Sequence, residues 1–581
     1  MHLDACATYC AWIQVEFPAV KRTVLFGLMC SLVVLFLLPI ILGVLGTVLP
    51  AFGLASSIAS GSGFDVVVSD PRFSSALALS LRTGIFATAL VLGTTLLTLV
   101  CVHDTRLWRL LSASLPPVLA VPHAAIAVGL LFLISPSGAL VRLVSPGLTG
   151  LSRPPTDWVV PDAGGWSLVI GLVIKETPFL LLAAAAQLSA LNVDASLRIG
   201  RTLGYSPARC WSRLILPRLY PRIRLTLLII LAFNLTVVDM ALLLGPGSPP
   251  TLSVMLMALV NDPDSRAAAS AGAILLAVMV AACFVVVWLL EQMIAKVSVA
   301  RRRSGARGKG FGLFRFAGKG VVLSLLFTCI ASLLLLLVWS FTRRWRFPDA
   351  FPSQWTFENW TSRGEVLFQP AWTTLSIAVT VMVLAVGSAI IWLELERHRI
   401  APKLDGLWFL PLLIPQVSLL FGWQAVALWC GIDGHWSTVV YTHWLYTLPY
   451  VVLILAVAWR ELDPLWGHAA HSLGAGYWKV LWKIRLPMLC RPLCQAAAVA
   501  IAVSVAQYLP TLLLGAGRHQ TLATELVTSF GGVDRRVIAA LAVLQSLLPL
   551  VAFVLALLYP RWRLTRLQTR AATKTIESVP L

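Results

Sequence analysis

Few residues in this chain could do chemistry, and most of them stand where water is scarce. Lys175 and Glu176 sit side by side just before Pro178 in a long apolar stretch. Asp239 precedes a Gly245-Pro246 break in another, and Gln507, Tyr508 and Pro510 hold the corresponding depth of a third. A charge in hydrocarbon is costly unless it is paired or faces a cavity. Glu176, Asp239, Gln507 and Tyr508 are therefore the candidate lining of a polar pathway. Neighbours on a helix point about 100° apart, so Lys175 and Glu176 are poor partners for each other. His123 and His443, also within apolar stretches, read as hydrogen-bonded contacts between helices. Asp262-Pro-Asp264 falls in a loop and offers no His/Asp cluster of the kind a membrane enzyme needs. Cys6 and Cys10, like Cys490 and Cys494, are four apart but lack the His or Asp that would complete a zinc set. No G-x-x-x-x-G-K-[ST] occurs, so the chain has no phosphate-cradling loop of its own. No catalytic residue, bound cofactor or metal is expected.

The elements that must position these groups follow from composition. The 581 residues are 58% hydrophobic and 12% charged, with a mean hydropathy of +0.85. Soluble domains carry roughly 25% charged residues, and half that cannot cover a globule of this size. The apolar residues fall in blocks of about twenty, the length a helix needs to cross a bilayer. Spans are predicted at 24–48, 77–102, 112–135, 166–190, 223–245, 267–293, 321–341, 371–393, 408–430, 437–459, 492–515 and 537–560. With both termini cytoplasmic, thirty-two Lys and Arg fall inside against eleven outside. That bias sets the orientation and accounts for the net charge of +20 through topology and anionic lipid, with no nucleic acid required. All ten cysteines lie in spans or inside, so a disulfide framework is not expected.

The chain is written twice. Arg201-Thr-Leu-Gly204 matches His471-Ser-Leu-Gly474, and Leu214-Ile-Leu-Pro217 matches Ile484-Arg-Leu-Pro487. Leu242-Leu-Leu-Gly245 matches Leu512-Leu-Leu-Gly515, and Thr251-Leu252 matches Thr521-Leu522, all at one offset of 270. Six spans per copy return the chain to its starting side, which makes the repeat parallel. The expected units are an N-terminal cytoplasmic extension (1–23), a first repeat (24–293, core 77–293), a basic cytoplasmic linker (294–320), a second repeat (321–560, core 371–560) and a basic tail (561–581).

Each repeat carries a segment on the cytoplasmic side that reads as a short helix, a glycine bend and an amphipathic stretch stopped by proline. In the first copy Trp211, Leu214 and Ile215 recur at helical spacing, with Arg209 and Arg213 beside them. Such a stripe calls for an apolar partner, either the membrane or a groove on another protein.

This spacing resembles the EAA loop of ABC-importer permeases, E-A-A-x-x-x-G, a spacer, then I-x-L-P. Ala469, Ala470, Gly474, Ile484, Leu486 and Pro487 fit it in the second copy, and Gly204, Leu214, Leu216 and Pro217 in the first. The glutamate position holds Arg198 and His468, and the first copy's alanines are Ile199 and Gly200. Val237 to Pro250 and Ala506 to Arg518 look like stretches of the fused two-domain permeases of the ferric-iron and thiamine importer group. The resemblance covers roughly 77–293 and 371–560 and leaves spans one and seven as peripheral helices. It implies an all-α polytopic membrane protein of the MetI-like permease fold, with about twelve transmembrane helices as two parallel six-helix repeats. It further implies a bacterial inner-membrane permease subunit that forms a translocation pathway and performs no covalent chemistry. Its partners would be an ABC ATPase homodimer, which uses the ATP, and a periplasmic substrate-binding protein. The ten motif residues would be the ATPase contact. The rival reading is a gradient-driven secondary transporter using Glu176 or Asp239.

Overall fold

In the computed structural model the described residues are 19–53, 63–103, 105–260, 262–303, 312–362, 364–403, 405–531 and 534–577. Most of the extension 1–23, with Cys6 and Cys10, lies outside them, as do 304–311 of the basic linker and the last four residues of the tail. The described residues are mostly helical, joined by loops of which the longest is 145–165, with one two-stranded antiparallel hairpin of Thr342–Arg344 and Gln354–Trp355. Nine helices among them are long and apolar enough to cross a membrane, or ten if the bent pair Tyr477–Met488 and Cys490–Ala506 counts as one span.

Four of the twelve predicted spans are not continuous helices, and the reason is local backbone chemistry that hydropathy does not register. The stretch 112–135 is divided between α2 (Arg106–Ala120) and α3 (His123–Ile134), where Pro122 caps the second helix in extended backbone. The stretch 223–245 becomes α6 (Leu216–Thr236) and α7 (Asp239–Leu244), parted at Val237-Val238. The stretch 492–515 repeats this as Cys490–Ala506 and Leu509–Leu514, parted at Gln507-Tyr508. The stretch 408–430 holds short turns and then Gln416–Cys430, preceded by Pro415. Irregular backbone at membrane depth is tolerated where protein or a cavity surrounds it.

The duplication is visible element by element. In chain order α1 is Phe73–Val102, α4 is Trp166–Ala190 and α5 is Val193–Thr202; their counterparts are α9 (Gly364–Arg397), α11 (Trp436–Glu461) and α12 (Leu465–Ser472). One hydrogen bond fixes the register of the two halves. The Leu252 amide donates to the Ser80 hydroxyl at 2.8 Å, and the Leu522 amide donates to the Thr374 hydroxyl at 2.9 Å.

The helices expected at the periphery tie the halves together. Ala19–Ala51 packs on Gln416–Cys430 of the second half, where the Thr47 hydroxyl donates to the Ser418 carbonyl at 2.6 Å. The helix Gly312–Ser340, α8, packs against α1 and α3 of the first half, with Gly129 close to Ser332. Hydrophobicity drives no helix to one apolar neighbour over another inside a membrane, so close packing of small residues selects the partner.

Candidate functional site

Two segments share one backbone design. α5 ends at Gly204 and α12 ends at Gly474, both at φ +78°. The Gly204 amide donates to the Arg201 carbonyl and the Tyr205 amide to Gly200; the Gly474 amide donates to His471 and Ala475 to Ala470. Each is a left-handed C-terminal cap that satisfies the last carbonyls of its helix, and glycine holds it without a β-carbon penalty. A single helical turn follows, Pro207–Cys210 or Tyr477–Val480, and then a π-helical turn, Trp211–Ile215 or Leu481–Arg485. Pro217 and Pro487 come directly after. A proline ring crowds the carbonyl four residues back, and the wider π turn accommodates it.

The structure divides the motif residues by exposure. Gly204, Pro217, Ala469 and Gly474 are exposed, together with Ile199, Leu203, Leu473, Trp478 and Trp482. Leu473 stands out, 88% exposed at the glycine corner. Leu214, Leu216, Ile484, Leu486 and Pro487 are half-buried, and Ala470 is buried. The predicted docking stripe is corrected here. Trp211 and Ile215 are each only 2% exposed, with the Trp211 ring edge-on to His103, so the stripe buries against this chain's own helices. What remains exposed is the short helix with its glycine corner in both copies, and Trp478 and Trp482 beyond it in the second.

A second assembly lies at the helix breaks. The Lys175 ammonium donates to the carbonyls of Leu119 and Val121 at 3.0 and 2.5 Å, main-chain acceptors that the break before Pro122 leaves open. Glu176 pairs with His123 at 3.1 Å, and His123 lies against Phe233 with ring centroids 4.9 Å apart. Both members of the adjacent pair thus point to other groups, as the 100° rule requires. Asp239, the first residue of α7, is within electrostatic reach of His123, Glu176 and Tyr508, so the cluster spans the two halves. Phe179 and Tyr450 meet across the same boundary, 6.3 Å between ring centroids. Gln507 turns elsewhere, donating to the His443 carbonyl at 3.2 Å and the Thr447 hydroxyl at 3.4 Å; its amide oxygen has no partner. His443 bonds Ser504 and Thr511 at 2.9 and 2.8 Å, the interhelical role expected of it. Asp262 accepts from the Asp264 amide and the Ser265 hydroxyl, closing a one-turn helix.

Sequence reasoning missed one residue of consequence. Glu394, near the end of α9, is 5% exposed and receives Arg485 at 2.5 Å, the Trp459 indole at 3.1 Å and the Tyr477 hydroxyl at 3.1 Å. Three of these four groups are unremarkable alone, and Arg485 occupies the unspecified position of I-x-L-P. Among the described residues no group of three or more His, Cys, Asp or Glu is placed to hold a metal ion.

These features define a multi-pass helical membrane protein built from two copies of one unit. Comparison with known proteins then places it. The inner membrane ABC transporter permease protein YnjC of Escherichia coli (strain K12) is 31% identical over 544 residues, 93% of this chain and 97% of the relative. The chain belongs to the ABC transporter permeases. The thiamine transport system permease protein ThiP of Salmonella typhimurium is 29% identical over 202 residues, 33% of this chain and 37% of that one. The molybdenum transport system permease protein ModB of Mycobacterium bovis is 28% identical over 186 residues, 30% of this chain and 70% of that one. No protein-family profile matches. The protein is a multi-pass inner-membrane transport permease.

Proposed function

We propose that this chain is the fused transmembrane subunit of an ABC importer, with the translocation pathway between its halves and an ATPase gripping it at 193–217 and 465–487. One observation carries the reading: two copies of the helix, left-handed glycine corner and π turn, 270 residues apart, each with an exposed apolar tip. Gly204, Leu214, Leu216 and Pro217, with Ala469, Ala470, Gly474, Ile484, Leu486 and Pro487, form and support these coupling segments. Both termini and both segments face the cytoplasm, as the positive-inside bias indicates. A partner ATPase homodimer holds the ATP, and a periplasmic substrate-binding protein delivers the cargo; this chain holds neither nucleotide nor cofactor. Closure of the ATPase dimer pulls both segments together, and the halves, 24–293 and 321–560, rock about the cluster of Glu176, Asp239 and Tyr508. Gln507, at the break beside it, is bonded to His443 and Thr447 instead, with its amide oxygen open. Relatives named for thiamine and for molybdenum share the permease likeness, so it carries the architecture of the pathway rather than one cargo.

The test is co-purification of the full chain with an ABC ATPase from its own source cell. Gly204→Val with Gly474→Val should abolish the association while leaving the chain folded. The rival use of Glu176 or Asp239 as a proton-coupling group predicts transport that survives deletion of the ATPase, and that outcome would sink the proposal.

A further inference from the structure

The two coupling segments have the same backbone but different anchors. In the second half the Glu394 carboxylate collects Arg485, Trp459 and Tyr477, with His398 at 3.6 Å. One side chain on α9 is thereby bonded to α11, to the single turn of the coupling segment and to its π turn. Arg485 is itself 5% exposed, and its guanidinium also lies over the Tyr477 ring.

The register of the repeat shows what stands at these positions in the first half. The offset of 270 puts Ile215 at the place of Arg485. The matched bonds of Ser80 to Leu252 and Thr374 to Leu522 set α1 and α9 at an offset of 294, which puts Val100 at the place of Glu394. Pro178 and Pro449 set α4 and α11 at 271, which puts Leu188 at the place of Trp459. Carboxylate, guanidinium and indole are replaced by three aliphatic side chains. Beside them, the first half has a cavity of about 470 Å³ lined by His103, Trp108, Leu188, Asp194 and Arg198. The first segment therefore lacks this ion pair and lies next to open space, with Cys210 Sγ donating to the Tyr205 carbonyl at 3.7 Å and Trp211 edge-on to His103. The second is held by a buried ion pair whose geometry is fixed by three directional donors.

We propose that Glu394 and Arg485 form a latch present in one half only, making Glu394 a positioning residue that ties the second coupling segment rigidly to α9 and α11. The first segment is compliant, and the two ATPase contacts transmit unequally. This rests on the coupling reading above, but the latch is a property of the chain alone and can be tested alone.

The full chain in lipid nanodiscs is followed by amide hydrogen exchange over 477–485 and 207–215. The wild-type second segment should exchange at least about tenfold more slowly than the first. Glu394→Gln should bring it up to the rate of the first segment and leave 207–215 unchanged. Because Glu394→Gln leaves a buried guanidinium unpaired, a second variant copies the first half, Glu394→Val with Arg485→Ile. Replacing a buried ion pair by apolar residues is often neutral for folding, and this variant should again equalise the two segments. Equal wild-type rates, or a double variant whose second segment stays slow, would overturn the latch. A second readout is ATP hydrolysis by the chain with its co-purified ATPase. The double variant should still bind the ATPase but turn over more ATP per substrate imported; an unchanged ratio would overturn the unequal transmission. Failure of any ATPase to bind the wild type would remove the coupling reading and leave the exchange result standing.

Discussion

Gly46 and Gly422 meet backbone to backbone: a β-carbon built on Gly46 would stand 2.3 Å from the Gly422 carbonyl oxygen. One turn away, a β-carbon on Gly43 would stand 2.8 Å from the Leu419 carbonyl. The N-terminal helix thus belongs, by packing, to the second half of the molecule, and the Thr47 and Tyr441 hydroxyls, bonded to Ser418 and Leu35 carbonyls, hold it there. Gly422→Val should destabilise the chain by at least the roughly 1–3 kcal/mol usual for overpacking, because backbone rather than a flexible side-chain end receives the clash. Gly27→Val on the same helix, where a β-carbon meets nothing within 4 Å, is the control. Thermal unfolding in detergent should separate the two; equal melting temperatures would mean that the helix does not rest on this contact.

Lys175 performs a structural task at the first helix break. Its ammonium is the donor for two main-chain carbonyls, Leu119 and Val121, that the interruption before Pro122 frees. Lys175→Met keeps the length and apolar stem but leaves those acceptors open. A buried unsatisfied group costs about 1–3 kcal/mol, so the melting temperature should fall clearly. Lys403→Met, on an exposed lysine, should change little. A Lys175→Met protein as stable as the wild type would show that water or another donor reaches these carbonyls.

Asp162 predicts a pH dependence. Its carboxylate accepts the Trp166 amide at 2.9 Å and the Ser167 amide and hydroxyl at 2.7 Å each, capping the start of α4. Burial pushes this carboxyl up, but the bonds from Ser167 and Trp166 outweigh it and hold it below the ordinary 3.8. A carboxyl depressed in the folded state contributes its stability above the ordinary value and loses it as pH falls through the folded one. Asp162→Asn keeps the side-chain size but turns one accepting oxygen into a donor facing the helix amides, so it should lower stability near neutrality by about 1.5–3 kcal/mol, the usual worth of a hydrogen bond to a charged group. The difference from wild type should shrink as pH drops below about 4, read from paired melting curves. A gap independent of pH would assign the effect to shape instead of charge.

The duplication, the glycine corners and most spans were legible because each depends on a local pattern. Gly204 and Gly474 announce themselves by position, and φ +78° is the conformation that makes glycine the right residue there. The helix breaks were not legible, since Val237-Val238 is as apolar as its surroundings and a hydropathy window counts side chains, not hydrogen bonds. The fate of Trp211 and Ile215 was hidden for a different reason: periodicity shows that a face wants burial but does not name what buries it. Glu394 and Arg485 are 91 residues apart, and neither lies in a position that the motif specifies.

The glycine corner gives the sharpest discrimination between backbone and side-chain explanations of the coupling segments. A β-carbon on Gly474 would meet nothing within 4 Å, so substitution there costs only what its left-handed backbone imposes. For an ordinary L-residue that is about 1–2 kcal/mol. Asparagine tolerates this region better than alanine because its short polar side chain bonds locally, and a β-branched residue tolerates it least. ATPase co-purification should therefore rank wild type first, then Gly474→Asn, Gly474→Ala and Gly474→Val. Alanine is smaller than asparagine, so a steric account of docking puts those two variants in the opposite order. Finding Gly474→Ala to bind better than Gly474→Asn would show that the ATPase reads the bulk at this corner and not the turn that shapes it.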